Sequence, residues 1–154
     1  MRAFALALIF LLFVAELALA DGSETQPEAA ARDPDYAAGK KAIEDRKWND
    51  AIASLTRAQK RDPDNADIEN WIGFSYRNLG QFDPAFKHYE RAIQLDPRHR
   101  GAHEYIGETY LLVGNLAGAE KHLAALKAIC LLGCEELEDL ERAIAQYRKA
   151  HPGN

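Results

Sequence analysis

The sequence predicts an all-α fold, a solenoid of three stacked helix pairs closed by one capping helix. Three observations carry this prediction. Small and large apolar residues recur at one fixed period, the separation of Pro63 from Pro97. Within each period, apolar residues fall at the three-and-four spacing of a helix with one buried face. Proline and glycine stand where helices of that length must stop. A unit of this length is one pair of helices, and a single pair cannot bury its own apolar face. Such units therefore stack on one another.

The period is read from several columns in one register. Pro63 and Pro97 lie within the similar segments KRDPDNAD and QLDPRHRG. Gly39, Gly73 and Gly107 share their spacing, as do Ala51, Ala85 and Ala119. Ala58 and Ala92 align with Leu126. Leu55, Tyr89 and Leu123 form a column of large residues, and Ala38, Ile72 and Ile106 form another. The small residues let two helices approach closely, and the large ones fill the space that remains.

The elements follow in order. Repeat one, 32–65, has helices near 35–45 and 48–61. Repeat two, 66–99, has helices near 66–79 and 82–95. Repeat three, 100–133, has helices near 100–113 and 116–129. The turns inside the pairs are Asp45-Arg46-Lys47, Leu79-Gly80-Gln81 and Val113-Gly114-Asn115. Gly80 and Gly114 can take the left-handed backbone that ends a helix. A last helix near 135–150 presents Leu137, Leu140, Ala143, Ile144 and Tyr147 on one face. Its other face, with Glu136, Glu138, Asp139, Glu141 and Arg142, is the polar surface that the end of a solenoid needs.

The beginning of the chain reads differently. Met1-Arg2 is a short basic start, Ala3 to Ala15 is apolar without interruption, and Ala18-Leu19-Ala20 offers small residues where an export peptidase cuts. This predicts a signal peptide over 1–20 that leaves Asp21 first, and places the mature protein in the periplasm or outside the cell. The competing reading is an uncleaved anchor, for which the run is short against the roughly 20 residues of a membrane span. Residues 21–32, DGSETQPEAAAR, lack large apolar side chains and read as a flexible tail. The net charge is -5, so the chain has no broad attraction for nucleic acid, and no membrane insertion is expected once the signal is removed.

On these residues the chain resembles the tetratricopeptide repeat family, and its layout resembles small exported bacterial members. Repeat two carries the pattern best, with Ile72, Gly73, Tyr76, Leu79, Gly80, Phe82, Ala85, Tyr89, Ala92 and Pro97. Glu69 and Asp35 depart from the family's leading aromatic, Ala42 from its tyrosine, and repeat three lacks the closing proline. The resemblance implies a right-handed solenoid whose first helices line a concave groove for a partner peptide or helix. Carried over by position, the groove residues are Tyr36, Lys40, Ile43 and Glu44, then Asn70, Phe74, Arg77 and Asn78, then Glu104, Glu108, Leu111 and Leu112. Phe74 and Arg77 also lie off the face of Gly73 and Tyr76, as an exposed aromatic beside a cation would in peptide recognition. Some members grip a C-terminal carboxylate through lysine and asparagine. Tyr36, Lys40, Gly101 and Tyr105 at those positions do not support that activity here.

Cys130 and Cys134 fall in CLLGC, where the third pair should give way to the cap. In an exported chain they are expected to form a local disulfide, with Gly133 breaking the helix between them. The sharper alternative is thiol or copper handling, but thioredoxin-like chemistry uses two intervening residues after a strand, and no strand pattern is present. His99 and His103, four apart, read as a solvated helix start. No serine–histidine arrangement on a strand-to-helix turn and no phosphate-cradling glycine loop appears. The expectation is a non-catalytic binding module of the cell envelope, with no metal and no cofactor. A structural subunit of a self-assembled complex is the alternative.

Overall fold

The structure, a computed structural model, describes residues 33–152. The predicted signal peptide and tail, 1–20 and 21–32, lie outside the described residues. Among the described residues seven helices follow one another: α1 (Pro34–Glu44), α2 (Trp48–Arg61), α3 (Ala66–Asn78), α4 (Phe82–Leu95), α5 (Arg100–Leu112), α6 (Leu116–Ile129) and α7 (Glu135–Ala150). Each packs on the next, and α7 packs on both α5 and α6. The first helices of successive repeats touch one another more closely than the second helices do, which curves the stack and makes α1, α3, α5 and α7 its inner face.

Helix ends are set by local chemistry. The Asp33 carboxylate caps α1 through the Asp35 and Tyr36 amides, at 2.8 and 3.0 Å. Asn65, His99 and Asn115 cap α3, α5 and α6 in the same way. The three inner turns are closed by one repeated bond, from Lys47, Gln81 and Asn115 N–H to the carbonyls of Ala42, Tyr76 and Tyr110. The residue before each donor takes positive φ: Arg46 at 56°, Gly80 at 71° and Gly114 at 79°. Repeat one thus places an arginine where its neighbours use the residue with no Cβ to clash.

The small-residue columns are contact points. A Cβ at Gly39 would stand 2.5 Å from Leu55 Cγ, and one at Gly73 would stand 2.9 Å from the Tyr89 ring. Ala51, Ala58, Ala85, Ala92 and Ala119 are fully buried behind them. Two column assignments change. Leu123 is only half-buried, and the residue over Gly107 is Leu140 of α7, whose Cδ2 lies 2.7 Å from the position of an added Cβ. The third repeat has α7 as its next inner helix, and that helix supplies the covering side chain. Ala38 is exposed, unlike Ile72 and Ile106, because no described helix precedes α1 to cover it.

The departure at the leading aromatic also has a structural answer. Asp35, Glu69 and His103 occupy that position, and each meets a polar group from its own second helix. Arg57 bridges Asp35 and Ser54. Glu69 accepts from Gln59 at 2.6 Å and pairs with His88 at 2.7 Å. His103 meets His122, with Nδ1 atoms 3.0 Å apart. The partner positions 54, 88 and 122 recur at the period of the repeat itself.

Gly73→Ala weighs two effects against each other. Helix propensity favours alanine by about 1 kcal/mol, whereas forcing a methyl into a filled interface costs about 1–3 kcal/mol. Tyr89 is fully buried and the Ala85 carbonyl lies 3.2 Å from the new atom, so neither can yield freely. Net destabilisation, read as a lower midpoint in urea, is the expected outcome; a raised midpoint would mean the helices are not in contact there.

Candidate functional site

The inner face carries the predicted groove residues at very different depths. Phe74 is half-buried, not an exposed aromatic. Its ring lies 5.9 Å from Trp48, 5.8 Å from Trp71 and 5.0 Å from Tyr105, centroid to centroid. Two cations lie against this cluster. Lys40 Nζ stands 3.2 Å from the Trp71 ring centroid, and the Arg77 guanidinium packs 5.5 Å from Phe74 and 5.6 Å from Tyr105. Burial lowers the pKa of Lys40, with Asp67 and Glu44 acting against it. Arg77 also pairs with Glu108, which joins α3 to α5 across the groove floor.

The remaining predicted residues divide into three groups. Tyr36, Ile43 and Leu111 pack against core clusters with part of each side chain showing. Glu44 and Asn78 are exposed, and Asn78 Nδ2 donates to the Phe74 carbonyl at 2.8 Å. Leu112 is 59% exposed at the end of α5. Asn70 and Glu104, by contrast, are buried. Trp71 and Tyr105 are absent from the predicted groove residues, although both line it. They stand one period apart, so the register that placed the others could have found them.

Two clefts open along this face. One, of about 630 Å³, is lined by Arg77, Glu108, Leu111, Leu112, Gly114 and, from α7 and the residue after it, Ala143, Gln146, Tyr147, Ala150 and His151. The other, of about 390 Å³, lies among Asp67, Asn70, Trp71, Gly101, Glu104, Tyr105 and Glu136, with Arg98, His99 and Arg100 at one side. Each has a mixed polar and apolar lining. Among the described residues no group of three or more His, Cys, Asp or Glu side chains converges to hold a metal ion.

The histidines depart from expectation. His99 faces Asp67, with Nε2 to Oδ1 at 3.0 Å, and that pairing holds the Asp67 carboxyl below its usual range. His103 is buried and turns to His122 of α6 rather than to His99 or to solvent. Its Nε2 lies 3.2 Å from the Pro97 carbonyl, which can only accept, so that nitrogen carries the proton. His103 Nδ1 then accepts, and His122 Nδ1–H donates. Cys130 and Cys134 are joined as a disulfide, with Cα atoms 5.7 Å apart, and Gly133 between them has φ of 86°. The bridge spans the end of α6 and the start of α7, in the register position that Asp62-Pro63 and Asp96-Pro97 occupy in the earlier repeats.

The fold and its repeat register are similar to those of tetratricopeptide repeat proteins, and comparison with known proteins finds the same likeness. The family model described as tetratricopeptide repeat matches residues 66–99, the second helix pair. The TPR repeat-containing protein PA0015 of Pseudomonas aeruginosa is 27% identical over 70 residues, covering 46% of this chain and 67% of its own. Among solved structures, the complex of the yeast Sti1 TPR2B domain with pHsp70 has a TM-score of 0.68 at 22% identity, covering 74% of this chain and 95% of that one. The first TPR of Spaghetti (RPAP3), bound to the HSP90 peptide SRMEEVD, has a TM-score of 0.63 at 22% identity, covering 70% and 87%. A MamA structure from AMB-1 has a TM-score of 0.56 at 25% identity, covering 66% and 61%.

The histidine pair gives the fold a pH dependence whose sign is fixed. Burial, then His103 and then Lys121, lowers the His122 pKa from 6.5 to about 4, and burial also lowers that of His103. The unfolded chain therefore takes up protons first, and this contribution is complete above about pH 6.5 and lost as pH falls towards 4. Glu104 works in the opposite direction. Burial, then Glu108, Asp139 and Glu136, raises its carboxyl to about 8, so its contribution is present below about pH 4.5 and lost as pH rises through 8. Comparing native protein with His122→Gln separates the two. The native protein should lose on the order of 2 kcal/mol more than the variant between pH 6.5 and 4 in urea titrations. Parallel curves would show that the pair is not held neutral.

Proposed function

We propose that this protein is a non-catalytic interaction module of the cell envelope that holds a peptide or helix of another protein along its inner face. The observation that carries the reading is the groove floor. Phe74, Trp71 and Tyr105 form an apolar surface edged by Lys40, Arg77 and Glu108, with clefts on either side. Aromatic anchors beside charged hydrogen-bonding groups are the chemistry of peptide recognition. Two of the similar solved structures are themselves complexes, with pHsp70 and with an HSP90 peptide. The lysine and asparagine carboxylate grip does not transfer, because Tyr36, Gly101 and Tyr105 stand at its positions.

The envelope location rests on the apolar run of Ala3 to Ala15 and the small residues before Asp21. It is supported by the Cys130–Cys134 disulfide, a bond that persists in oxidising compartments. Among the described residues no helix is long and apolar enough to cross a membrane.

Mass spectrometry of protein recovered from its native envelope should give Asp21 as the first residue; an intact Met1 would remove the export reading. The groove itself is tested by crosslinked capture from the same envelope. Arg77→Gln with Leu112→Ser removes a cation from the edge of the Phe74 cluster but none of its rings, and should retain native helicity. Loss of a captured partner by about tenfold or more is expected, which corresponds to roughly 1.4 kcal/mol. Equal capture by both forms would move the interface off the inner face.

A further inference from the structure

We infer that the smaller cleft, between α3, α5 and the start of α7, receives a lysine or arginine side chain of the bound segment, with the Glu104 carboxylate as its counter-ion and the Asn70 side-chain oxygen as a second acceptor. The inference rests on the groove reading above and names the chemistry of the occupant.

Two buried residues in this cleft carry side-chain oxygens without partners, and Asn70 Oδ1 is itself shut off from solvent. Asn70 is 2% exposed, and its Oδ1 has no hydrogen-bond partner. Glu104 is 8% exposed, and among the described residues no hydrogen bond or ion pair reaches its carboxylate. The two residues hold the same register position in adjacent repeats and line the same cleft. An unmatched acceptor at the depth of Asn70 Oδ1 is costly, and a group that brings donors removes the penalty.

Most of the surrounding charges are already matched, and of the others Arg98 donates to the Ile129 carbonyl while Asp96 accepts from the Arg98 backbone amide. Asp67 pairs with His99 at 3.0 Å, Glu136 with Arg100 at 3.5 Å, and Glu108 with Arg77. The charged groups acting on Glu104 are Glu108 of its own helix, Asp139 and Glu136 of α7, and Arg77 of α3; those three acids are paired with Arg77, Arg142 and Arg100, and Glu104 has no such counter-ion. An anionic occupant would bring a further negative charge to the Glu104 carboxyl, and an uncharged one would leave its lack of a counter-ion in place. A cation relieves it and lets Glu104 ionise, releasing a proton. The Trp71 and Tyr105 rings form a wall for the methylene stem of a long cationic side chain. The outer part of the same face already seats a cation, Lys40 on Trp71.

The test uses the full chain labelled with carbon-13 at glutamate carboxyls and nitrogen-15 at side-chain amides. N-acetyl-lysine methylamide is titrated at pH 8, beside the norleucine and glutamate analogues. The lysine probe should saturably shift the Glu104 carboxyl and Asn70 amide signals and lower the Glu104 titration midpoint. Glu104→Gln, nearly isosteric and checked for native helicity, should weaken the lysine probe by about fivefold or more, as expected for loss of a charge-assisted contact. Equal shifts from lysine and norleucine probes, preferential shifts from the glutamate probe, or unchanged lysine binding in Glu104→Gln would each overturn the inference. Its failure is distinguishable from that of the groove reading. Partner capture that still depends on Arg77 and Leu112 would keep the groove while removing the cation pocket. Lysine binding at Glu104 without such capture would do the reverse.

Discussion

The contact between the first and second helix of each repeat is the constraint on which the rest depends. At Gly39 and Gly73 the absent Cβ lets Leu55 and Tyr89 lie directly on the backbone of the facing helix. At Gly107 the same space is filled from α7 by Leu140. Close approach at one point fixes how each of the first two pairs is oriented and how α7 sits on α5, and the buried alanines of α2, α4 and α6 keep the other side of the contact narrow. Because each helix packs mainly on its neighbours, the small geometry of one pair is repeated along the stack. Curvature, and with it the inner face, is the sum of those repeated contacts.

A second layer of polar contacts follows the same register. Asp35, Glu69 and His103 stand where the family resemblance calls for an aromatic, and each is matched from the second helix of its pair. The chemistry changes from an arginine bridge to a carboxylate–imidazole pair to two imidazoles, while the position of the contact does not. Buried polar groups are tolerated in such a column because every member has a partner. On the inner face the matching is incomplete. Asn70 and Glu104 lack such partners, whereas Lys40, Arg77 and Glu108 are engaged with aromatic rings or with each other.

The disulfide adapts the last junction to the same plan. The first two repeats leave their second helix through Asp62-Pro63 and Asp96-Pro97, where the missing proline N–H ends the helical ladder. The third has Cys130-Leu131 instead, and the covalent link to Cys134 with the positive φ of Gly133 turns the chain into α7. Leu131 and Leu132 stand out from this short loop, 84% and 102% exposed.

Much of the fold was legible in the linear chain. Helix ends depend on caps, prolines and glycines within a few residues, and the buried face of each helix is written in its own spacing, so Gly73, Ala85 and Pro97 could be placed without a structure. The cysteine pairing was equally local, four residues apart with a glycine between. Tertiary structure decided what the side chains meet. That His103 faces His122 and not His99, that Phe74 is the hub of an aromatic cluster, that Leu140 rather than Leu123 covers Gly107, and that Glu104 is buried among acids all depend on neighbouring helices. Local sequence sets torsions and periodicity, which act along the chain. Burial and electrostatics act through space, and become definite only when the stacking of one repeat on the next has fixed the distances.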